Sequence, residues 1–582
     1  MSPEAASPEA ASHGRAPSFS SQFAAALLDQ FVHLGVRHVV ICPGSRSQAL
    51  ALAAAELERT GALELHVRID ERSAGFLALG LAVESLKPVV VVTTSGTAVA
   101  NLHPAVLEAH HSGAPLILLT ADRPEELRGI GSNQTTVQFG IFGSAVRFAR
   151  EVEAPSTTDF DHSYTAELAA AAFSAAAGHS AAPGPVQLNI AFREPLSGPI
   201  SHPEPDSTEA ARAPGVAASR ASSTSIARIT AQPGTIVIAG HGAGERASEI
   251  AVQLGAPLIA EVSSGAHFGP NLVVAYRELL RDDQFGGRVR RAVVFGHPTL
   301  SREVPTLLAR DGVETVVVRC GTGEDYNPGR RVETFLDDVE VAGGPDDSRE
   351  ARAWSGSWVS ASRALVATDP IPTSDARTDD RVLAAEFARS QLAAFREPVT
   401  RRMLVNAVWQ KTWPHDRLVF AASRLIRDAD ASVPGKKIRV HSNRGLAGID
   451  GTIATATGIA IASQGAENHG NSAAGTTRVV LGDLAMLHDV GSLLGGAGEV
   501  AARMQLIVGN DGGGTLFDLL EVASTADPAA FDRVLYTPHQ VTFSALAEAY
   551  GWEYRFAPNR GELDEALSLT SGRTIIEVPL AR

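Results

Sequence analysis

At 582 residues the chain is too long for one hydrophobic core, and at about 100 to 200 residues per domain three or four domains are expected. Lys and Arg total 50 against 65 Asp and Glu, a formal charge of −15, which argues against non-specific nucleic-acid binding because that depends on neutralising phosphates. Apolar residues at 44% and charged residues at 20% are ordinary for a globular protein, and no run approaches the ~20 apolar residues that span a bilayer.

Residues 1–17, rich in Ala, Ser and Pro without an apolar stretch, read as a disordered tail and not a signal peptide. From Ser18 helical and strand patterns alternate: a helix in FAAALLDQFVHLG, a strand in HVVICPG, a helix in QALALAAAELERTG and a strand in LELHVRID. ERSAGFLALGLAVESL, KPVVVVTTSGTA, VANLHPAVLEAHHSG and PLILLTADRP continue the alternation, and GPVQLNIAF closes a first α/β domain over 18–200. Residues 201–225 lack apolar periodicity and read as a linker. A middle α/β domain follows over 226–345, carried by TIVIAGHGAG, PLIAEVSSG, RAVVFGHP and TVVVRCG. Its turn Gly240-His241-Gly242-Ala243-Gly244 lacks the GxGxxG spacing of a dinucleotide site. A linker with a helical segment spans 346–395. The third domain, 396–582, has strands in RLVFAAS, IRVHSN, TRVVLGD, QLIVGND and RTIIEVPL. The pattern predicts three doubly wound, parallel-sheet α/β domains, the first and third echoing each other. Two cysteines, Cys42 and Cys320, make no disulfide framework and no metal-ligand spacing, which points to a reducing cytoplasm.

The most informative constellation lies in the third domain. Gly482-Asp483 ends one buried strand, and Gly509-Asn510-Asp511-Gly512-Gly513-Gly514 ends the next, 28 positions from Asp483 to Asp511. Open parallel sheets bind ligands at the carboxyl ends of their strands, and glycines let the backbone approach an ion or a phosphate. Mg²⁺ takes hard oxygen ligands and often shares them with phosphate. The paired motif resembles the thiamine-diphosphate motif of Gly-Asp followed, within about thirty residues, by Asn-Asn or Asn-Asp. That resemblance implies Asp483, Asp511 and the Gly513 carbonyl as metal ligands, with Asn510 and the Gly512 carbonyl as the other register. In the first domain, Glu71 opens a helix in Arg68-Ile69-Asp70-Glu71-Arg72. The helix dipole alone would favour an acid there. Thiamine enzymes, however, set a glutamate against the aminopyrimidine ring, where a partly desolvated carboxyl exchanges a proton. The small-residue helix after it suits close packing at a domain interface.

ICPGSRSQAL (41–50), RIDERSAGFLALGLA (68–82), TTSGTAVANLHPAVLEA (93–109), LLTADRPEELRGIGSNQT (118–135), SNRGLAGIDG (442–451) and GDLAMLHD (482–489) together resemble one family. It is the 2-succinyl-5-enolpyruvyl-6-hydroxy-3-cyclohexene-1-carboxylate synthases of menaquinone biosynthesis. The resemblance implies domains of the thiamine-diphosphate-enzyme type: pyrimidine-binding, middle and diphosphate-binding. It implies thiamine diphosphate with Mg²⁺ or Mn²⁺, decarboxylation of 2-oxoglutarate, and addition of the succinyl unit to isochorismate. Glu71 matches the family's catalytic acid. Ile449, Leu484, Leu516 and Phe517 match apolar cofactor contacts. Arg46, Arg123, Arg427 and Arg444 match substrate-binding arginines, with Ser45, Asn133, Gln134 and Ser423 as polar contacts and Arg302 aligning loosely. Both substrates are dicarboxylates, for which converging arginines are suited. The family also implies a homodimer as the minimum unit, with a tetramer expected. An acetolactate-synthase-like carboligase is the alternative, disfavoured because pyruvate needs fewer cationic contacts. A non-catalytic nucleotide-binding protein on the same scaffold is disfavoured by intact Glu71 and Asp483.

Overall fold

The computed structural model describes residues 18–156, 162–179, 181–198, 226–321, 324–343, 346, 348–366, 381–465, 475–496, 498–499, 501–569 and 572–582. The expected tail at 1–17 and linker at 201–225 lie outside them.

Three fully parallel sheets carry the molecule. The first holds β1 (His38–Ile41), β2 (Glu64–Val67), β3 (Val89–Thr93), β4 (Leu116–Asp122), β5 (Phe148–Val152) and β6 (Val186–Ala191), in the order β2-β1-β3-β4-β6-β5. In the middle, β7 (Ile226–Ile229) precedes β8 (Thr235–Ala239), β9 (Leu258–Ala260), β10 (Arg291–Phe295), β11 (Glu314–Val318) and β12 (Thr334–Leu336). Those last five order as β12-β11-β10-β8-β9, while β13 (Asp338–Val341) pairs apart with β7. The third sheet contains β14 (Arg417–Phe420), β15 (Arg439–His441), β16 (Thr477–Gly482), β17 (Met504–Asn510), β18 (Glu553–Phe556) and β19 (Arg573–Pro579), in the order β15-β14-β16-β17-β19-β18. Position for position, the first and third sheets follow the same path, so the echo read in their sequences is an echo of topology. In each sheet the winding reverses between the first and third strands in chain order, which is where doubly wound sheets open a ligand crevice.

The apolar runs become the central strands. Every residue of β3 and β4 is buried, as a strand covered on both faces requires. β5, β7, β12, β13 and β18 are short or half-exposed, and their mixed polarity gives no strand signal in the sequence. The segment VANLHPAVLEAHHSG, which reads as one helix, is two: Thr97–Asn101 and His103–Ser112. Pro104 sits in the first turn of the second helix, where its missing N–H is harmless; within a longer helix it would remove a hydrogen bond. Helix Arg349–Leu365 buries Trp358 completely, and Trp354 Nε1 donates to the Thr235 carbonyl at 2.8 Å, so this helix covers the middle sheet.

The first and third domains share one apolar core. Helix Glu71–Ser85 packs against helix Thr452–Gln464, bringing Phe76, Leu77 and Leu81 together with Ile453 and Ile459. Two glycines set the closeness. A Cβ on Gly80 would stand 2.0 Å from the Thr455 carbonyl oxygen, and one on Gly458 would stand 2.2 Å from that of Leu77. At the end of the first helix Glu84 reaches into the third domain, with Arg417 Nη2 at 2.7 Å, Arg439 Nη1 at 3.1 Å and His441 Nε2 at 3.0 Å.

Candidate active site

The carboxyl ends of β14, β16 and β17 enclose a cavity of about 160 Å³, lined by Ser423, Ile449, Asp483, Leu484, Asp511, Gly513, Leu516 and Phe517 among others. It opens at the crevice expected where the third sheet's winding reverses. Asp483 follows the last residue of β16 and begins helix Asp483–His488. Its Oδ1 accepts from the Leu484 N–H at 2.7 Å, and its Oδ2 lies 3.0 Å from His539 Nε2. Burial, and then the facing charge of Asp511, push the Asp483 carboxyl above the ordinary aspartate value. Asp511 pairs with Arg401 at 2.6 Å through Oδ2, which also accepts from the Thr515 hydroxyl.

The glycine turn after β17 is shaped by the backbone. Gly512 has φ +76°, a left-handed conformation that suits glycine. A Cβ on Gly513 would stand 2.4 Å from the Tyr536 carbonyl, so no side chain fits there. Tyr536 locks the turn: its hydroxyl donates to the Asp511 carbonyl at 2.7 Å, and its carbonyl accepts from the Gly514 N–H at 2.6 Å. Asn510 is committed differently. Its Nδ2 donates to Glu577 at 2.7 Å, and its Oδ1 accepts from the Gly512 N–H at 3.2 Å. Asp511 and Gly513 line the cavity with Asp483, whereas Asn510 and Gly512 do not. Two mutually repelling carboxylates beside a backbone carbonyl form an all-oxygen donor set that fits Mg²⁺ or Mn²⁺.

The sequence-selected arginines fall into two groups. At the carboxyl ends of β1, β3 and β4, Arg46 and Arg123 approach each other: burial, then the charge of Arg123, lowers the pKa of Arg46. Arg46 Nη1 donates to the Phe192 carbonyl at 3.0 Å, with Ser45 beside it in sequence. Arg123 donates to the Ser95 hydroxyl and the Gln134 carbonyl, and Gln134 holds φ +53° while donating to the Ser95 carbonyl at 3.0 Å. Asn133 stands exposed beside it.

In the third domain Ser423 caps helix Arg424–Ser432, accepting from the Leu425 N–H, and Arg427 Nη1 donates to the Ser423 carbonyl at 2.9 Å. Arg444 is 2% exposed and reaches the middle domain, donating from Nε to the Thr299 hydroxyl at 2.9 Å. Its Nη1 is buried and has no hydrogen-bond partner among the described residues, an arrangement that suits an incoming carboxylate. Arg302, by contrast, is exposed at the start of helix Glu303–Leu308, and its side chain makes no hydrogen bond among the described residues.

Glu71 does not line the cavity that holds Asp483. It begins helix Glu71–Ser85, capped by Asp70, whose carboxylate accepts from the Arg72 and Ser73 N–H groups. Glu71 Oε2 itself is 3.4 Å from Asn101 Nδ2.

Sequence reasoning missed several residues that shape these groups. Arg401, His539 and Tyr536 contact Asp511 or Asp483 from distant positions without any local motif. Ser95 was accessible, since it lies within the quoted TTSGTA turn, and Thr515 directly follows the quoted glycine turn. Glu261, fully buried, accepts from the Thr299 and Leu300 N–H groups at the Arg444 end of the middle domain, and burial and Asp430 push its carboxyl up to about 8.

Residues 21–142 match the family described as thiamine pyrophosphate enzyme, N-terminal TPP binding domain. Over 579 residues the chain is 58% identical to the 2-succinyl-5-enolpyruvyl-6-hydroxy-3-cyclohexene-1-carboxylate synthase of Leifsonia xyli subsp. xyli (strain CTCB07), covering 97% of each chain. It is 55% identical to the synthase of that name from Clavibacter michiganensis subsp. michiganensis (strain NCPPB 382), covering 97% of this chain and 96% of the relative. The crystal structure of benzoylformate decarboxylase from Polynucleobacter necessarius shares the fold, with a TM-score of 0.63 at 16% identity over 97% of this chain and 99% of that one.

Proposed function

The chain belongs to the 2-succinyl-5-enolpyruvyl-6-hydroxy-3-cyclohexene-1-carboxylate synthase family, and from that premise we propose how its residues divide the work. It is a thiamine-diphosphate- and metal-dependent enzyme of menaquinone biosynthesis, a transferase that joins the succinyl part of 2-oxoglutarate to isochorismate with release of CO₂. Bound thiamine diphosphate supplies the electron sink for that loss of CO₂ and for the new carbon–carbon bond. Asp483, Asp511 and the Gly513 carbonyl hold Mg²⁺ or Mn²⁺. Ile449, Leu484, Leu516 and Phe517 give the cofactor an apolar seat. Glu71 would be the carboxyl that holds and passes a proton at the aminopyrimidine of the bound cofactor. Arg46, Arg123, Arg427 and Arg444, with Ser45, Asn133, Gln134 and Ser423, orient the carboxylates of the two substrates, and exposed Arg302 contributes at the rim.

The observation that carries this reading is the cavity at the carboxyl ends of β14, β16 and β17, where Asp483 faces Asp511 beside Ile449 and Ser423. Because Glu71 lies outside that cavity, one chain's Glu71 serves the cofactor of a second chain. A homodimer is then the minimum active unit, with a tetramer as a pair of dimers. We also place the enzyme in the cytoplasm, in keeping with a chain that carries only two cysteines; no described helix is long and apolar enough to cross a membrane.

The test mixes two inactive proteins, Glu71→Gln and Asp483→Asn, each with thiamine diphosphate, Mg²⁺, 2-oxoglutarate and isochorismate. Exchange of subunits should restore up to about a quarter of normal turnover per chain, because a mixed dimer keeps one intact site. Isochorismate loss that stays at the level of the separate variants overturns the shared-site reading. CO₂ release from pyruvate but not from 2-oxoglutarate would overturn the substrate assignment.

A further inference from the structure

A second set of potential metal ligands lies at the other end of the first sheet. His38 opens β1 and Glu64 opens β2, and the two are direct partners in the parallel register, while His66 pairs with Val40. Side chains two apart on a strand share a face, so His38, Glu64 and His66 project from one face of two paired strands. His38 Nδ1 lies 3.3 Å from His66 Nε2 and 3.5 Å from Glu64 Oε2, and the three ligand atoms all fall within 4.8 Å of one another. β2 is the outer strand of its sheet. Glu64 also lies beside Gly465, the residue that ends helix Thr452–Gln464, so the cluster stands where the first domain meets the third.

The two separations from His38 Nδ1 are close to those of a tetrahedral site. With metal–nitrogen bonds of about 2.0 to 2.1 Å, two ligands at the tetrahedral angle sit about 3.3 to 3.4 Å apart. Two imidazoles and one carboxylate are a donor set for borderline transition metals, whereas Mg²⁺ prefers all-oxygen sites. Access agrees: Glu64 is half-exposed and His66 is 6% exposed, so an ion enters from one side while burial holds one ligand rigid.

We propose that His38 Nδ1, Glu64 Oε2 and His66 Nε2 bind a Zn²⁺-class ion, with water in the fourth position, as a clip that fixes the edge strand β2 to β1. This ion is separate from the Mg²⁺ assigned to Asp483 and Asp511. The clip lies at the amino ends of the strands, opposite the arginine cluster at their carboxyl ends, so it has a structural role and takes no part in the reaction.

The full-length protein, saturated with Mg²⁺ and thiamine diphosphate to occupy the all-oxygen site, is titrated with Zn²⁺ by calorimetry and with Co²⁺ by visible absorption. The wild type should bind one Zn²⁺ per chain, gain thermal stability from it, and show the intense visible bands of tetrahedral Co²⁺. His38→Ala should weaken Zn²⁺ by at least about a hundredfold and abolish those bands, and Glu64→Gln should weaken it by about tenfold. Both variants should keep normal turnover with Mg²⁺. Buried His66 is left intact so that folding is preserved, and half-exposed Glu64→Gln carries the test should His38→Ala misfold. Absence of Zn²⁺ binding to the wild type in excess Mg²⁺ overturns the proposal, as does Zn²⁺ affinity unchanged in folded His38→Ala or in Glu64→Gln.

Discussion

Glu84→Gln should separate the charge of a buried carboxylate from its shape. The side chain is 1% exposed and faces Arg417, Arg439 and His441 of the third domain. Burial alone would raise its pKa, but the close His441, the hydrogen bond from Arg417 and the charges of both outweigh it and hold the group down at about 2, against an ordinary 4.5. At about 1.4 kcal/mol for each pH unit of that difference, the ionised form adds about 3 kcal/mol to stability at neutral pH. The folded-state pKa is depressed, so this contribution is complete above about pH 4.5 and fades as pH falls toward 2. Glutamine keeps the size and removes the charge. Urea unfolding followed by tryptophan fluorescence should therefore show Glu84→Gln less stable by about 3 kcal/mol at pH 7, the gap narrowing to about 1 kcal/mol at pH 3. A gap of the same size at both pH values would refute the electrostatic account and leave packing as the cause.

Three further substitutions address the site. Asp511→Ala should weaken Mg²⁺-dependent binding of thiamine diphosphate by at least about a hundredfold, and Asn510→Ala by about tenfold, because Asn510 only supports the turn; calorimetry giving the reverse order would move the metal ligand to Asn510. Arg444→Ala should lower kcat/KM by roughly 30- to 100-fold through KM, the worth of a charge-assisted hydrogen bond to a substrate carboxylate, without changing cofactor affinity. Steady-state kinetics with both KM and kcat unchanged would remove that contact.

Much of the fold could be read from the sequence because its central strands are buried on both faces. Such strands carry continuous apolar runs, as in Val89–Thr93 and the VVL of Thr477–Gly482, and strand-end turns with small or acidic residues mark their carboxyl ends. The edges were not legible: β5 and β18 are half-exposed, and their charged residues hide the pattern. Asp483 and Asp511 were legible for the same reason as the strands, because they follow directly from them. What surrounds them was not. His539 meets Asp483 across 56 positions and Arg401 meets Asp511 across 110, and only folding makes such pairs. The arginines divided into two groups for a similar reason. Arg46 and Arg123 belong to neighbouring strand ends in one domain, while Arg444 is placed by Thr299 of another.

The helix pair at the core of the first and third domains has a consequence for descent. Gly80 rests on the backbone of one helix and Gly458 on the backbone of the other, so each position is closed by main chain and not by a side chain that could shrink in compensation. No replacement at a single neighbouring position can reopen the space for a methyl group. A lineage that lost either glycine would have to shift a whole helix, and with it Glu71 at that helix's start and the Ile449 loop just before its partner. The two glycines thus act together, fixing the placement of residues that neither of them touches.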